Sequence, residues 1–475
     1  METGDTFQDD FDKFRQEQFP RLCDGTVYAD WTGAALPPRK LIESYCLNLG
    51  EELLGNPHSA HSPSMRAMDL IDQARAAVLR FFNASPEHYD VIFTAGATSA
   101  ILLLQHFMFE GGELLLLQDN HNSVNGLREI ARRQGAIVRY SPIRPIRGMS
   151  EDLSIDDQKL AQALHHPRSN GNRLFAYPAK SNYAGTNHSL GWVGFAQKHG
   201  WKVLLDAAAY VSNDCLDLSG PVKPDFVPIS FYKMFGFPTG VGALLIRRDA
   251  YPTLHKRWFS GGSILLASVA KDFFAHELVG HARFEDGTVN FAGIPAIARG
   301  LAFLGDLRGN SQGDWTLSDR GKACKGRIQK ISWDLTQRLF DLSRKPSPVG
   351  DNEVFVHSVP GNDIVTFSLK RNGRFVDPKI VEARADDRKI YLRTGCFCNP
   401  GVNETVFGYS VDDFASFYND SPSNEQLTLE RFQRHLGGRP IGAIRASFGY
   451  ANAPGDVDRI VEFMKDMITC KDLPG

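Results

Sequence analysis

Lysine is rarely left unpaired inside a protein, so a lysine that directly follows a buried strand is a candidate for chemistry. Lys233 is such a residue: it follows the apolar run 225–229 through Ser230, Phe231 and Tyr232, and precedes a Gly/Pro-rich turn from Met234 to Gly240. A desolvated amine has a lowered pKa and condenses with an aldehyde to an imine. Asp206 comes directly after another apolar run. A carboxylate there is costly to bury unless it meets a cation or a donor; a protonated pyridine nitrogen is one candidate and an arginine of the protein is another. His121, in Asp119-Asn120-His121, offers a flat ring that could stack on an aromatic ligand, although for a lone histidine a structural or surface role is the commoner one. Asn182 brings an amide after Pro178-Ala179-Lys180-Ser181. Ala95-Gly96-Ala97-Thr98 would let backbone N–H groups approach an anion at the start of a helix, and a tight turn needing glycine explains the same residues.

These residues must be positioned by strands. Short apolar runs at 90–94, 113–118, 136–141, 173–177, 202–206, 225–230 and 242–247 alternate with helix-like stretches such as 98–108, 123–134 and 191–199. That alternation predicts an α/β fold with a largely parallel sheet covered on both faces. Ligands of such sheets sit outside the carboxyl ends of the strands, which is where each residue above falls. Together they make an anchor for phosphate, a stacking ring, a carboxylate and an amine, the inventory that pyridoxal phosphate requires. No G-x-G-x-x-G and no G-x-x-x-x-G-K-[ST] competes for a nucleotide.

The rest of the chain is ordinary for a soluble enzyme. It has 475 residues, 42% of them hydrophobic and 23% charged, with a formal net charge of −2. That balance gives no reason to expect nucleic acid or an anionic membrane as partner. No apolar run approaches the roughly 20 residues of a membrane span, and the acidic N-terminus has no signal-like apolar core. Seven scattered cysteines suit a reducing cytosol, and the expected location is cytoplasmic. Residues 1–25 read as an N-terminal arm, with Phe7, Phe11, Phe14 and Phe19 at helical spacing. Residues 26–300 read as the large domain and 301–475 as a smaller C-terminal α/β domain, with strands near 363–369 and 388–393 and a last helix near 455–469. Segment 305–325 reads as a loop, and 401–437 as an insertion. No metal site is expected, because Cys396 and Cys398 have no companion ligands at zinc spacing.

The segment Ser230 to Gly240, S-F-Y-K-M-F-G-F-P-T-G, resembles the lysine segment of the class V aminotransferase family, in its molybdenum-cofactor-sulfurase branch. Gly55-Asn56-Pro57-His58-Ser59, Leu205 to Ala209, Phe284 to Thr288, Arg393 to Gly401 (R-T-G-C-F-C-N-P-G) and Ile444 to Tyr450 agree, in family order, from about residue 25 to the end. The resemblance implies a fold-type-I enzyme dependent on pyridoxal 5'-phosphate, with a mainly parallel seven-stranded sheet and usually a homodimer. Residue by residue it makes Lys233 the Schiff-base lysine, Asp206 the partner of the pyridinium nitrogen and His121 the stacking ring. Asn182 would face the ring hydroxyl. Ala97, Thr98, Ser230 and Tyr232 would hold phosphate, with Thr288 reaching in from the partner subunit. Arg445 would clamp the substrate carboxylate, with Asn56, His58 and Arg393 as further substrate contacts, and Cys398 would be the mobile-loop cysteine that takes up sulfur.

The implied reaction starts from L-cysteine or a cysteine derivative. Lys233 moves the Cα proton, and the Cys398 thiolate attacks the substrate sulfur, leaving a persulfide and alanine. The sulfur then goes to an acceptor, either the molybdenum cofactor or an acceptor protein. The rival is a carbon–sulfur β-lyase, which would use the same Lys233 and Arg445 but release pyruvate. Simple desulfurases carry glutamine where this chain has Ala209, as the sulfurase branch has a small residue there. Full-length sulfurases also continue into a second domain, so the chain reads either as a piece of such a protein or as a standalone relative.

Overall fold

Apolar runs that do not alternate, such as Leu114–Leu117, demand cover on both faces of the strand. In the computed structural model, which describes residues 3–144, 153–276, 280–308, 319–344, 352–358, 360–421 and 427–470, all four leucines are fully buried. The large sheet has seven strands: β1 (Tyr89–Thr94), β2 (Glu113–Leu117), β3 (Ile137–Ser141), β4 (Arg173–Pro178), β5 (Lys202–Asp206), β6 (Phe226–Ser230) and β7 (Gly242–Arg247). Their spatial order is β1-β7-β6-β5-β4-β2-β3. Only β7 runs against its neighbours β1 and β6; the other pairings are parallel. The fold is thus α/β with a mainly parallel seven-stranded sheet, as the sequence implies.

The two-residue period of the strands divides the core in two. Leu115, Leu117, Phe175, Tyr177, Val203 and Leu205 point into one cluster, and Leu114, Leu116, Leu174, Ala176 and Leu204 into another on the opposite face. Each fully buried side chain of this size contributes about 1.5–3 kcal/mol. A second sheet follows in the chain, with β8 (Asn352–Val356), β9 (Ile364–Arg371), β10 (Arg393–Gly395) and β11 (Ala443–Ser447) in the order β8-β9-β11-β10. It packs Val365, Phe367 and Ile444 against Ile331, Leu335 and Leu339 of the helix Asp319–Arg344, and against Ile460 and Met464 of the helix Pro454–Thr469.

Three expectations are corrected. The polar segment 305–325 is not a continuous loop: one helix runs to Arg308 and the next starts at Asp319, while 309–318 lie outside the described residues. Polarity misled because that second helix exposes one face. The first turns of the supposed insertion 401–437 are core material, since Val402 and Phe407 of the helix Pro400–Phe407 enter the large cluster. Gly401 permits this approach: a Cβ there would overlap the Gln118 carbonyl at the end of β2. Residues 422–426 of that segment lie outside the described residues. Third, β8 and β11 fall outside the strands expected from the sequence, although Gly350-Asp351 precedes the first and Gly442 the second. In the N-terminal arm the helix Thr3–Gln18 buries Phe11, Phe19 just beyond it is fully buried, and the Phe7 side chain lies outside the described set.

Candidate active site

The carboxyl ends of β1, β2, β4, β5 and β6 converge on one cavity of about 560 Å³, part of it open to solvent. Ala97 and Thr98 line it after β1; Asp119, His121 and Ser123 after β2; Lys180 and Asn182 after β4; Asp206, Ala208 and Ala209 from β5; and Ser230, Tyr232 and Lys233 from β6. Chain reversals at these ends bring together residues more than a hundred positions apart. Eight of the sequence candidates meet here: Ala97, Thr98, His121, Asn182, Asp206, Ser230, Tyr232 and Lys233.

Two lysines face this space, and their surroundings separate them. Lys180 is held by Asp214 at 2.6 Å and Asp363 at 2.9 Å, which raise its pKa and fix it as an ammonium. Lys233 has no hydrogen-bond or ion-pair partner among the described residues, and burial pushes its pKa down while Asp206 opposes the shift. It sits on a one-turn helix, Phe231–Phe235, rather than on the strand itself. Gly236 ends that turn in the left-handed region (φ +78°), where a Cβ would overlap the Leu36–Pro37 backbone. The sequence motif therefore encodes a backbone reversal as well as the amine.

Asp206 accepts from the Ala208 N–H at 3.1 Å and has no arginine or lysine paired to it among the described residues, so the alternative of a protein counter-ion falls away. His121 accepts the Ser123 N–H on Nδ1 at 3.1 Å, which leaves the ring proton on Nε2. Burial lowers the His121 pKa, Asp206 acts against it and Lys233 adds to it, so the ring is neutral and can lie flat against an aromatic ligand. The Ser230 hydroxyl accepts from the Ala97 N–H at 3.4 Å, and the Thr98 and Ser123 hydroxyls bond at 2.8 Å. Sequence reasoning missed Ser123, whose only signal is its place two residues after His121.

Other candidates lie beside the cavity or away from it. Arg445 on β11 is 2% exposed, donates to the Asn182 carbonyl at 2.8 Å and pairs with Asp30 at 2.9 Å. Arg393, its cross-strand neighbour, reaches the same carboxylate at 3.5 Å and is exposed. Asp30, 415 positions from Arg445, had no sequence signal. Cys398 is exposed, and its carbonyl accepts from the Asn122 N–H at 2.7 Å, next to His121. Asn56, His58 and Thr288 do not line the cavity. Asn56 donates to Thr288 at 3.3 Å and His58 lies 3.4 Å from the Gly287 carbonyl, an exposed group at a separate place on this chain.

The family model for class-V aminotransferases matches residues 27–323, well over half of the chain. The chain belongs to the class-V aminotransferase family. Among curated relatives it is 34% identical to the molybdenum cofactor sulfurase of Homo sapiens, over 96% of this chain and 51% of that protein, and 33% identical to that of Solanum lycopersicum, over 96% and 57%. The chain thus spans about half the length of the curated relatives it matches. In shape it is similar to an apo cysteine desulfurase from Thermococcus onnurineus, with TM-score 0.72, 20% identity, and 96% of this chain and 98% of that one covered.

The class-V cavity fits pyridoxal phosphate by its chemistry. Among the described residues it holds one unpaired amine, one carboxylate without a protein counter-ion, a neutral ring, and amide and hydroxyl donors at the β1 and β6 ends. The pair Lys233 and Asp206 gives a titration that can be measured. In cofactor-free protein, imine formation with a small aromatic aldehyde is expected to rise with pH around a midpoint below the ordinary lysine value of about 10.4. Asp206 favours the ammonium, so Asp206→Asn is expected to move the midpoint lower still. An upward move would contradict the pairing.

Proposed function

We propose that this chain is a pyridoxal-phosphate-dependent cysteine desulfurase of the molybdenum cofactor sulfurase type, taking sulfur from L-cysteine onto Cys398 and releasing alanine. The observation that supports it is the place of Cys398 beside the cavity. Its carbonyl is held 2.7 Å from the Asn122 N–H, and a thiolate there would favour the Lys233 ammonium. When bound, pyridoxal phosphate supplies an electron sink that lets the substrate Cα lose its proton. Lys233 would be the covalent anchor and would move that proton, Asp206 would face the ring nitrogen and His121 the ring. Ala97, Thr98, Ser230 and Tyr232 would hold phosphate, and Asn182 the ring hydroxyl. The Cys398 thiolate attacks the substrate sulfur, the C–S bond breaks, and a proton completes the alanine methyl group. Cysteine plus enzyme thiol thus become alanine plus enzyme persulfide, with atoms and electrons balanced.

Arg445 would bind the substrate carboxylate. Asp30 offsets one of the two charges of Arg445 and Arg393, leaving one positive charge for a single carboxylate. Arg445→Lys is expected to lower kcat/KM for cysteine about tenfold to a hundredfold, mostly through KM, because the bidentate fork is lost. An unchanged KM would remove Arg445 from substrate binding.

The likeness to molybdenum cofactor sulfurases supports that cofactor as the final sulfur acceptor. A homodimer completes the proposal. It is supported by the exposed apolar residues Trp258, Leu265, Leu266, Phe273 and Phe274 on and beside the hairpin of Ile264–Ala267 and Phe274–His276, and by the distance of Thr288 from its own cavity. Light scattering is expected to give twice the chain mass of 52.8 kDa, and the mass of one chain would exclude it. The functional test is product analysis with L-cysteine and a reductant. Alanine and sulfide in equal amounts are expected; pyruvate and ammonia in place of alanine, with sulfide still released, would establish the β-lyase.

A further inference from the structure

A single buried carboxylate ties the cysteine loop to the wall of the cavity. Asp119 is 1% exposed and lines the cavity two residues before His121. One of its oxygens accepts from His188 Nε2 at 2.7 Å, and the other from Ser181 Oγ at 2.9 Å and from Asn399 Nδ2. Asn399 is fully buried and immediately follows Cys398. Its amide nitrogen also donates to the Asp119 carbonyl at 3.3 Å and to Asn182 Oδ1 at 3.1 Å, and Asn182 Nδ2 donates to the Phe397 carbonyl at 2.7 Å.

Every orientation in this chain of bonds is fixed by chemistry. The Asp119 backbone carbonyl, which only accepts, faces Asn399 beside the carboxyl oxygen, so Asn399 must turn its NH₂ toward Asp119. Asn182 must then present oxygen to Asn399 and nitrogen to Phe397. The loop needs such restraint: Phe397 and Cys398 are consecutive non-glycine residues in the left-handed region, at φ +54° and +56°. Each costs on the order of 1–3 kcal/mol and persists only where surroundings enforce it. The Phe397 ring is buried under the Arg445 guanidinium, 4.7 Å from its centroid, so the same loop also touches the substrate arginine.

We propose that Asn399, anchored on Asp119, is a positioning residue that sets the register of Cys398 against the cavity, so that the ring-stacking His121 and the sulfur-accepting Cys398 hang on one carboxylate. The cysteine loop is therefore a pinned element in this chain, not the mobile loop that the family resemblance implies, and the acceptor of the sulfur must come to it. This inference rests on Cys398 being the sulfur acceptor.

The test compares the full chain with Asn399→Ala and Asn399→Asp. The aspartate keeps the shape but sets a second carboxylate against Asp119, so it removes the bond without opening a cavity. Amide hydrogen exchange is read on the peptide carrying Cys396 to Gly401, and alanine formation and cofactor content are read on the loaded protein. In both variants the loop peptide is expected to exchange at least about tenfold faster while β5 keeps its protection. The kcat for alanine is expected to fall about tenfold to a hundredfold, with a smaller change in KM and with cofactor retained, as misplacement of a reacting group by an ångström costs such factors. Unchanged loop exchange would overturn the proposal, as would faster exchange with full kcat, or loss of cofactor together with activity. Alanine release by the wild type with no sulfur on Cys398 would sink the functional reading and this inference with it, and is told apart because it needs no variant.

Discussion

Replacing Lys233 with alanine is expected to cut alanine release from L-cysteine by about four orders of magnitude, the upper range for losing a positioned acid–base group. The reason is that no other amine among the described residues lining the cavity can take its place. Lys180 faces the same cavity, but its ammonium is clamped between Asp214 and Asp363, which hold it charged and fixed. Lys233 is the amine that burial makes easier to deprotonate and that no carboxylate ties down. Added pyridoxal phosphate should still occupy the cavity of the variant, since Asp206, His121 and the hydroxyl groups remain, but borohydride should no longer fix it to the chain. A loss below tenfold, or a retained covalent cofactor, would remove Lys233 from the chemistry.

The second large effect concerns the two cysteines of R-T-G-C-F-C-N-P-G. Cys398→Ala is expected to lower alanine formation at least about a hundredfold, because a nucleophile held at the cavity is replaced by dilute external thiols. Cys396→Ala is expected to stay within about threefold of the wild type. Cys396 is partly buried, whereas Cys398 is exposed and its carbonyl is held by the Asn122 N–H beside His121. Steady-state assays of alanine and pyruvate on both variants separate the outcomes. Full turnover to pyruvate in Cys398→Ala would assign the chain to the β-lyase reaction.

Much of the cavity was legible in the sequence because its residues belong to strand ends. A strand leaves a strong local trace, a run of apolar residues, and the parallel-sheet rule then says which end meets the ligand. Lys233, Asp206, His121 and Asn182 were each found this way, and the structure brings them to one cavity. What the sequence left dark depends on long-range contact. Asp30 reaches Arg445 across 415 positions, and Asp119 meets Asn399 across 280. Neither pairing has a local signature, since an aspartate after a strand looks the same whether it faces water or an amide. The segments misread as loop and insertion failed for a related reason. Local polarity counts charges along the chain, while burial of Val402 or Leu307 is decided by what packs over them. The pairing of β9 with β11 joins Ile364 to Ser447, which no window of ten residues contains.

The most direct test loads the protein with pyridoxal phosphate and mixes it with one equivalent of L-cysteine, with no reductant present. The mass of the Cys398 peptide is then followed beside alanine. Sulfur on Cys398, gained atom for atom with alanine and absent from Cys396, is the expected result. Alanine formed while Cys398 keeps its original mass, or pyruvate formed in place of alanine, would contradict the assignment.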